Sequence, residues 1–284
     1  MDQYEIWDPN RFGSLTPTLD RIMSDEFKAM KSKSIKWNHD IGYVPGELRD
    51  RVLELLSLLR RSTNMGDMWK YVNEWTSKAT ASYEFVIADK IRGKLSLVMT
   101  GDILPTFDSG EMPNFLASDR TDLRDYLRVL QKFLLHVHPK YRRSNEKMKF
   151  VYSPEIKSAG IRIKGTHTTK VKILSAHLLV HEYGHYIRDN NSEVFSLCKE
   201  FFKARTKDDP NGVVKVEDYR TIKDKFVDEY AGRVYGWESD PEGAGEEIFS
   251  TGLEQMLGKW RRRNFFVRDP QHFLLVLAVM RGQV

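Results

Sequence analysis

The chain has 284 residues, of which 40% are hydrophobic and 30% charged, a composition typical of folded globular proteins and not of disordered ones. No apolar run is long enough to span a membrane, and the net charge of +5 is too small to indicate nucleic acid as a partner. The N-terminus lacks a signal-peptide pattern, and the single cysteine, Cys198, excludes an internal disulfide, so we expect a cytoplasmic protein.

Residues 1–145 are predicted to form a mainly helical region without a recognisable functional motif. Polar and turn-forming residues dominate the first 50 positions, so we expect an arm with a short helix at Asp25–Lys33 and little core of its own. Leu95–Thr100 is predicted to be a strand that leads into a loop at 101–113. Apolar residues that recur at helical spacing predict amphipathic helices at Glu47–Arg61, Met65–Thr80 and Thr121–His136.

Two short strands are predicted next, at Met148–Tyr152 and Ile161–Lys164, followed by a long helix at Val171–Arg188. The helical segment contains no proline, and its apolar residues recur at helical spacing. Thr168 or Thr169 is the expected N-cap of this helix. We therefore expect a small sheet directly ahead of a helix that buries one of its faces.

The long helix contains His181-Glu182-Tyr183-Gly184-His185, which is the H-E-x-x-H pattern of zinc metallopeptidases. Residues four apart lie on one helical face, so His181 and His185 can occupy two corners of a tetrahedral zinc site. Glu182 flanks this face, where a carboxylate can take the proton of a zinc-bound water molecule. The alternative is a helix with two structural histidines, and the helical context favours the zinc site.

A catalytic zinc site needs a third protein ligand, with the fourth position left for water. Two stretches compete for this role, one around Glu229 and one around Glu247. Glu247 opens a predicted helix that runs to about Arg263, and a carboxylate in a first helical turn can point into a cleft. On this helix we expect Glu247 to face inward, whereas Glu246 and Glu254 should lie away from the site.

The combination of H-E-x-x-H with the sequence E-I-F-S that begins at Glu247 resembles the gluzincin pattern of thermolysin-like peptidases. In that pattern a second helix supplies the glutamate in an E-x-x-S context. The C-terminal half is also similar to zincin-like proteins of bacteria and their phages. The segments that carry this similarity are residues 228–236, 247–254 and 269–273.

The resemblance implies an α+β, mostly helical zincin-like catalytic domain at residues 146–284, with a small sheet ahead of the motif helix. It implies Zn2+ as the cofactor, held by His181, His185 and Glu247. Residues 1–145 would then form a helical region of unknown role, either as a separate domain or as part of one compact unit.

The chain departs from the gluzincin pattern at Thr251, where thermolysin-like enzymes have an aspartate after the serine. That aspartate usually supports a ligand histidine, and here Asp228 or Glu229 is the candidate substitute. Gluzincins also use a hydrogen-bond donor to stabilise the oxyanion, and Tyr230 and Tyr235 are the nearest candidates in the sequence.

Three functions of different classes are compatible with these patterns. The first is a zinc metalloprotease that acts on an intracellular protein or peptide substrate. The second is a zincin-like binding or structural module, for example in a phage-related or defence assembly, although such a module has no need of Glu182. The third is a nucleic-acid-binding protein, which we do not expect, because the basic clusters Lys140–Arg143 and Arg261–Arg263 are short.

Overall fold

A computed structural model of the chain describes residues 15–31, 44–63, 65–100, 115–117, 120–142, 148–163, 166–207, 213–216, 219–222, 225–235 and 245–284. These residues are mainly helical and include a small sheet, which confirms the predicted α+β class. Within them, no helix combines the length and the apolar character needed to cross a membrane. The predicted loop at 101–113 and the first 14 residues of the predicted arm lie outside the described residues.

The prediction of a strand at Leu95–Thr100 is wrong, because a helix continues through this segment. Ile87, Ile91 and Leu95 are all buried and recur every four residues along that helix. A short apolar run does not distinguish a strand from a buried helix, whereas this four-residue recurrence does. The helices described in this half are α1 (Pro17–Lys31), α2 (Arg49–Arg61), α3 (Met65–Ser77), α4 (Ser82–Thr100), α5 (Thr121–Leu134) and α6 (Pro139–Arg142).

A small mixed sheet precedes the motif helix, as predicted. β2 pairs in parallel with β1 and β4, whereas β3 pairs antiparallel with β4 and forms one edge of the sheet. Thr168 and Thr169 are not helix caps, because both belong to β4, where β-branched side chains are well accommodated. The strands are β1 (Leu116–Ala117), β2 (Lys149–Tyr152), β3 (Gly160–Arg162) and β4 (Thr168–Val171), in the spatial order β1-β2-β4-β3.

The second half of the chain is again mainly helical. The motif helix begins at Ala176, later than predicted, because the chain first completes β4 and turns. The helix predicted to reach Arg263 is divided at 256–258, a segment that contains a glycine, which is a poor helix former. The elements are α7 (Ala176–Asp189), α8 (Ser192–Thr206), β5 (Val213–Val216), β6 (Tyr219–Ile222), a 3-10 turn (Glu229–Gly232), α9 (Glu246–Gln255), α10 (Lys259–Arg268) and α11 (Pro270–Met280).

Helices from the first half of the chain pack directly on the C-terminal helices. α1 contacts α8 and α11, α4 contacts α10, and α5 contacts α7. Within the predicted arm, α1 buries Leu19, Met23 and Phe27 in the core that it shares with these C-terminal helices. The motif helix and α9, which make extensive contact with each other, are therefore supported from several sides.

Candidate metal centre

Three side chains from two helices bring their donor atoms together. His181 and His185 project from α7, and Glu247 lies in the first turn of α9. Each pair among His181 Nε2, His185 Nε2 and Glu247 Oε2 is separated by 3.2 Å. The exposed fractions of these residues are 7%, 8% and 1%, so all three are buried. This buried His-His-Glu group could hold a metal ion.

The position of α7 depends on a cap and on a close contact between helices. Ser175 Oγ accepts a hydrogen bond of 3.1 Å from the backbone N–H of Leu178, which fixes the start of the helix. Gly184, inside the motif, faces the backbone of α9, and a Cβ at this position would lie 2.6 Å from the Cα of Ser250. Because Gly184 has no Cβ, α9 can approach closely enough for Glu247 to reach both histidines.

Two hydroxyl groups hold the Glu247 carboxylate. Ser250 Oγ lies 3.0 Å from Glu247 Oε2, because residues three apart share one face of α9, and the Tyr235 hydroxyl donates to Oε1. The structure thus brings Glu247, as predicted, into the donor group. The competing residue, Glu229, is not part of that group, and its backbone carbonyl accepts a hydrogen bond from Thr221.

Glu254 lies beside His181, which corrects the expectation that it faces away from the site. Its Oε2 is 3.4 Å from His181 Nδ1, and its Oε1 is 3.2 Å from Arg261 Nη1. Glu254 follows Glu247 by about two helical turns, so both carboxylates lie on the face of α9 toward α7. Thr251, at the position where gluzincins have aspartate, is buried, and its Oγ1 has no hydrogen-bond partner among the described residues.

Asp228 does not take the supporting role that the sequence left open for it. Its Oδ1 accepts from the backbone N–H of Tyr230, and its Oδ2 accepts from Gln255 Nε2, each at 3.1 Å. Asp228 therefore caps the 3-10 turn and ties it to the end of α9. Within the described part of the chain, Nδ1 of the other ligand candidate, His185, is buried without a hydrogen-bond partner.

The imidazoles and carboxylates shift one another's pKa values. Burial lowers the pKa of His181, but hydrogen bonds to Glu247 and Glu254 outweigh it and raise the pKa above the ordinary value. Burial raises the pKa of Glu247, but the charges of His185 and His181 outweigh it and hold that pKa well below the usual range. A metal ion that binds here would compete with a proton, as metal binding to histidine generally does.

Glu182 lines the same open cavity as the three donors, and the volume of this cavity is about 320 Å³. The backbone of the edge strand β3 lies directly against its carboxylate. A Cβ on Gly160 would collide with Glu182 Oε1, so this glycine leaves the space that the carboxylate occupies. A chain segment that enters along β3 would therefore meet Glu182 and the donor group together.

Tyr230 and Tyr235 both line the cavity, but their hydroxyl groups have different partners. The Tyr235 hydroxyl uses its proton on Glu247 Oε1. The Tyr230 hydroxyl accepts a hydrogen bond of 2.5 Å from Arg233 Nη1, and the Tyr230 ring lies 5.8 Å from that of His181. The Tyr230 and Tyr235 hydroxyls also interact through a side-chain hydrogen bond, so both tyrosines belong to one network with Arg233 and Glu247.

Reasoning from the sequence missed two charged residues near the donors, Arg162 and Arg233, and expected a third, Glu254, to lie away from them. Arg233 lies in the segment that resembles zincin-like proteins, but only its neighbouring tyrosines were considered. Arg162 follows Gly160 and Ile161 in β3, and alternation along a strand would have put it on the same face as Gly160. Which face meets the motif helix is a tertiary property that alternation does not reveal.

Comparisons of the chain with protein-family models, with curated protein sequences and with solved structures found no match. The resemblance to gluzincins consequently rests on the motif residues alone. The inference of a function must therefore start from the geometry of the described side chains.

Proposed function

We propose that the protein is a zinc-dependent metalloprotease that hydrolyses peptide bonds of a protein target, with Glu182 as the general base. The observation that carries this proposal is the triangle of His181 Nε2, His185 Nε2 and Glu247 Oε2, with edges of 3.2 Å. Ligands about 2.0–2.1 Å from a tetrahedral zinc ion lie about 3.3 Å from one another, so this triangle matches one face of a zinc tetrahedron. Two histidines and a glutamate are also a known ligand set of catalytic zinc, with the fourth position open.

A zinc ion held by these residues would lower the pKa of a water molecule and polarise the carbonyl group of the scissile bond. Glu182 lines the cavity but is not one of the three donors, so its carboxylate can accept the proton of that water molecule. The protonated Glu182 can then give the proton to the amine that leaves when the peptide bond breaks. Glu182 thus accepts one proton from water and returns one proton to the leaving amine, and it ends the reaction deprotonated as it began.

The hydrogen bonds of the two tyrosines support different roles for them. The Tyr230 hydroxyl interacts with that of Tyr235, and the cationic Arg233 on its oxygen makes it a stronger donor. We assign Tyr230 to the substrate carbonyl oxygen, which gains negative charge during attack. Tyr235 uses its proton on Glu247 and is assigned to holding this ligand in place.

The edge strand β3 supports a peptide as the substrate. Only one side of β3 is paired within the described sheet, so an extended peptide could add to its other side by backbone hydrogen bonds. Glu182 lies against this strand at Gly160. A peptide bound there would present its backbone carbonyl groups to the cavity.

The test replaces Glu182 by Gln, which keeps the size of the side chain and removes the base. Turnover should fall by roughly 10²–10⁴-fold, which is typical of the loss of a general base. Zinc content should stay at one ion per chain in elemental analysis, because Glu182 is not a ligand. Turnover is measured by mass spectrometry of a peptide library incubated with the zinc-loaded protein.

Glu193→Gln on α8 is the matched control, because Glu193 is exposed and does not line the cavity. It should keep both zinc and turnover. A Glu182→Gln protein that retains zinc and full activity would refute the peptidase proposal. Absence of bound zinc in the unaltered protein, after exposure to excess zinc and gel filtration, would refute it at an earlier step.

A further inference from the structure

Two arginines line the cavity, and their charges are balanced differently. Arg162, on β3, forms an ion pair with Asp189 and lies 3.9 Å from Glu246 Oε1. Arg233, which follows the 3-10 turn, forms no ion pair with a carboxylate among the described residues, and the charge of Glu247 acts on it only from a longer distance. The charge of Arg162 is thus neutralised by the protein itself, whereas that of Arg233 is available to a molecule in the cavity.

Arg233 is held in place by aromatic rings instead of by an anion. Its guanidinium carbon lies 4.4 Å from the ring centre of Tyr235, 5.1 Å from that of Tyr230 and 5.4 Å from that of Tyr219. One of its nitrogens donates to the Tyr230 hydroxyl. Contacts between a cation and ring faces orient the guanidinium without neutralising its charge. An oriented guanidinium with free N–H groups is well suited to bind a carboxylate through two parallel hydrogen bonds.

We propose that Arg233 binds a carboxylate group of the substrate next to the scissile peptide bond. This inference rests on the proposed peptidase function and narrows it to substrates that carry a carboxylate at that point. The carboxylate can come from an acidic side chain or from the free C-terminus of a peptide. The cavity also contains Glu182, Glu246 and Glu247, so a singly charged carboxylate is repelled less than a doubly charged phosphate would be.

The test uses four peptide hydroxamates with one shared backbone, because a hydroxamate anchors each compound to the zinc ion without being cleaved. The compounds differ in two places only: a side chain is glutamate or glutamine, and the chain end is a free acid or an amide. Their affinities for the zinc-loaded protein are measured by isothermal titration calorimetry. We expect at least one of the two carboxylates to improve affinity by about tenfold or more, as hydrogen bonds to charged groups do. The position that matters identifies the source of the carboxylate.

Arg233→Gln should abolish this preference, measured as the ratio of the affinities for the acidic and the fully neutral compounds, while the zinc content stays the same. Arg128→Gln is the control, because Arg128 is exposed on α5, where it pairs with Asp125. If Arg233→Gln fails to fold, Arg233→Lys keeps the charge but loses the planar fork, and it should weaken the preference without removing it.

Equal affinity of all four compounds for the unaltered protein would overturn the inference and leave the peptidase proposal intact. A preference that survives in Arg233→Gln would also overturn it, since another group would then bind the carboxylate. Failure of all four compounds to bind would overturn the zinc site itself, and the inference with it.

Discussion

Two buried polar clusters in this protein differ in how their charges are balanced. In the first, Arg205 of α8 donates to both oxygens of Asp269 at the start of α11, at 2.6 and 2.5 Å. A cation and an anion there satisfy each other. In the second, His181, His185 and Glu247 direct three acceptor-type atoms to within 3.2 Å of one another. This second arrangement needs a proton or a metal ion to offset the repulsion between lone pairs.

The surroundings of the two clusters follow the same distinction. The Arg205 guanidinium lies between Phe201 and Phe226, 4.3 and 5.5 Å from their ring centres, and Lys225 adds a backbone carbonyl as an acceptor. None of these residues lines the cavity at the donor group. The histidine cluster lines an open cavity together with the carboxylate of Glu182. We interpret the first cluster, in which a cation and an anion pair with each other, as part of the fold. The second cluster, whose donor atoms face a common point beside a cavity, is a candidate site.

The largest expected effect comes from Asp269→Asn, which removes the anion of the first cluster. Asparagine can still cap α11, so the loss isolates the ion pair with Arg205. Leaving the buried Arg205 charge without its partner should lower the free energy of unfolding by about 3–5 kcal/mol. Urea unfolding of the metal-free protein measures this change. The protein that remains folded should still bind one zinc ion per chain.

Glu247→Gln removes the anion of the second cluster, as Asp269→Asn does for the first. It should abolish stoichiometric zinc binding, because a neutral amide replaces the anionic ligand. Its metal-free form should lose much less stability than Asp269→Asn does in the same urea experiment, because the histidines beside Glu247 can release a proton and become neutral, whereas Arg205 cannot. If Glu247→Gln were the more destabilising variant without zinc, or if Asp269→Asn lost zinc while folded, the division into a structural and a functional cluster would fail.

The sequence predicted the local part of the histidine cluster and missed the part that depends on helix packing. The motif spacing alone puts His181 and His185 on one face, and the E-x-x-S pattern identified Glu247. Glu254 was assigned to the wrong side because its environment depends on how α9 crosses α7. That crossing is set by the contact between Gly184 and Ser250.

The other cluster could not be predicted from the sequence. Arg205 and Asp269 are 64 residues apart, and nothing local in either segment marks them as partners. The error at Leu95–Thr100 has a different origin, because a short segment rich in apolar residues is compatible with a strand or a helix until its neighbours are considered. Local residue spacing predicted contacts within one helix, but it could not predict which residues pair between distant helices.

A smaller effect is expected from Glu254→Gln, which tests whether the histidine cluster extends beyond its three donors. The contact of Glu254 with His181 Nδ1 should orient the ring and make its Nε2 a better ligand. Loss of such a partner typically lowers metal affinity by roughly 10–100-fold. Competition with a chromophoric zinc chelator measures the affinity.

Thr251→Val is the control for Glu254→Gln, since it alters the position at which gluzincins have their supporting aspartate. Thr251 Oγ1 has no hydrogen-bond partner among the described residues, so zinc affinity should not change. The assignment of Glu254 would be wrong if the two variants had the opposite effects.

The smallest expected effect concerns His272, which belongs to the structural cluster. Its backbone N–H donates to Asp269 at 3.0 Å, and its ring Nε2 lies 2.7 Å from the carbonyl oxygen of Ile248. Burial is the main cause that lowers the pKa of His272 to about 4; Asp269 opposes this shift, and the Arg205 charge contributes to it. Between this value and the ordinary histidine pKa of about 6.5, the unfolded chain binds a proton that the folded protein does not.

Lowering the pH through this range should therefore lower the free energy of unfolding. The stability that comes from keeping His272 neutral should be fully present only above the pKa that His272 has in the unfolded chain. At pH 5.5 the loss attributable to this residue is roughly 1 kcal/mol relative to pH 7.5. Urea unfolding of the metal-free protein at both pH values measures it, with His272→Gln as the reference, because glutamine can still donate to the Ile248 carbonyl but does not titrate. The other histidines are common to both proteins and cancel in the difference. If the unaltered protein and His272→Gln lost the same stability between pH 7.5 and 5.5, the surroundings of His272 would not keep it neutral. The interpretation of the Arg205–Asp269 cluster as one whose charges are balanced without a bound proton would then be wrong.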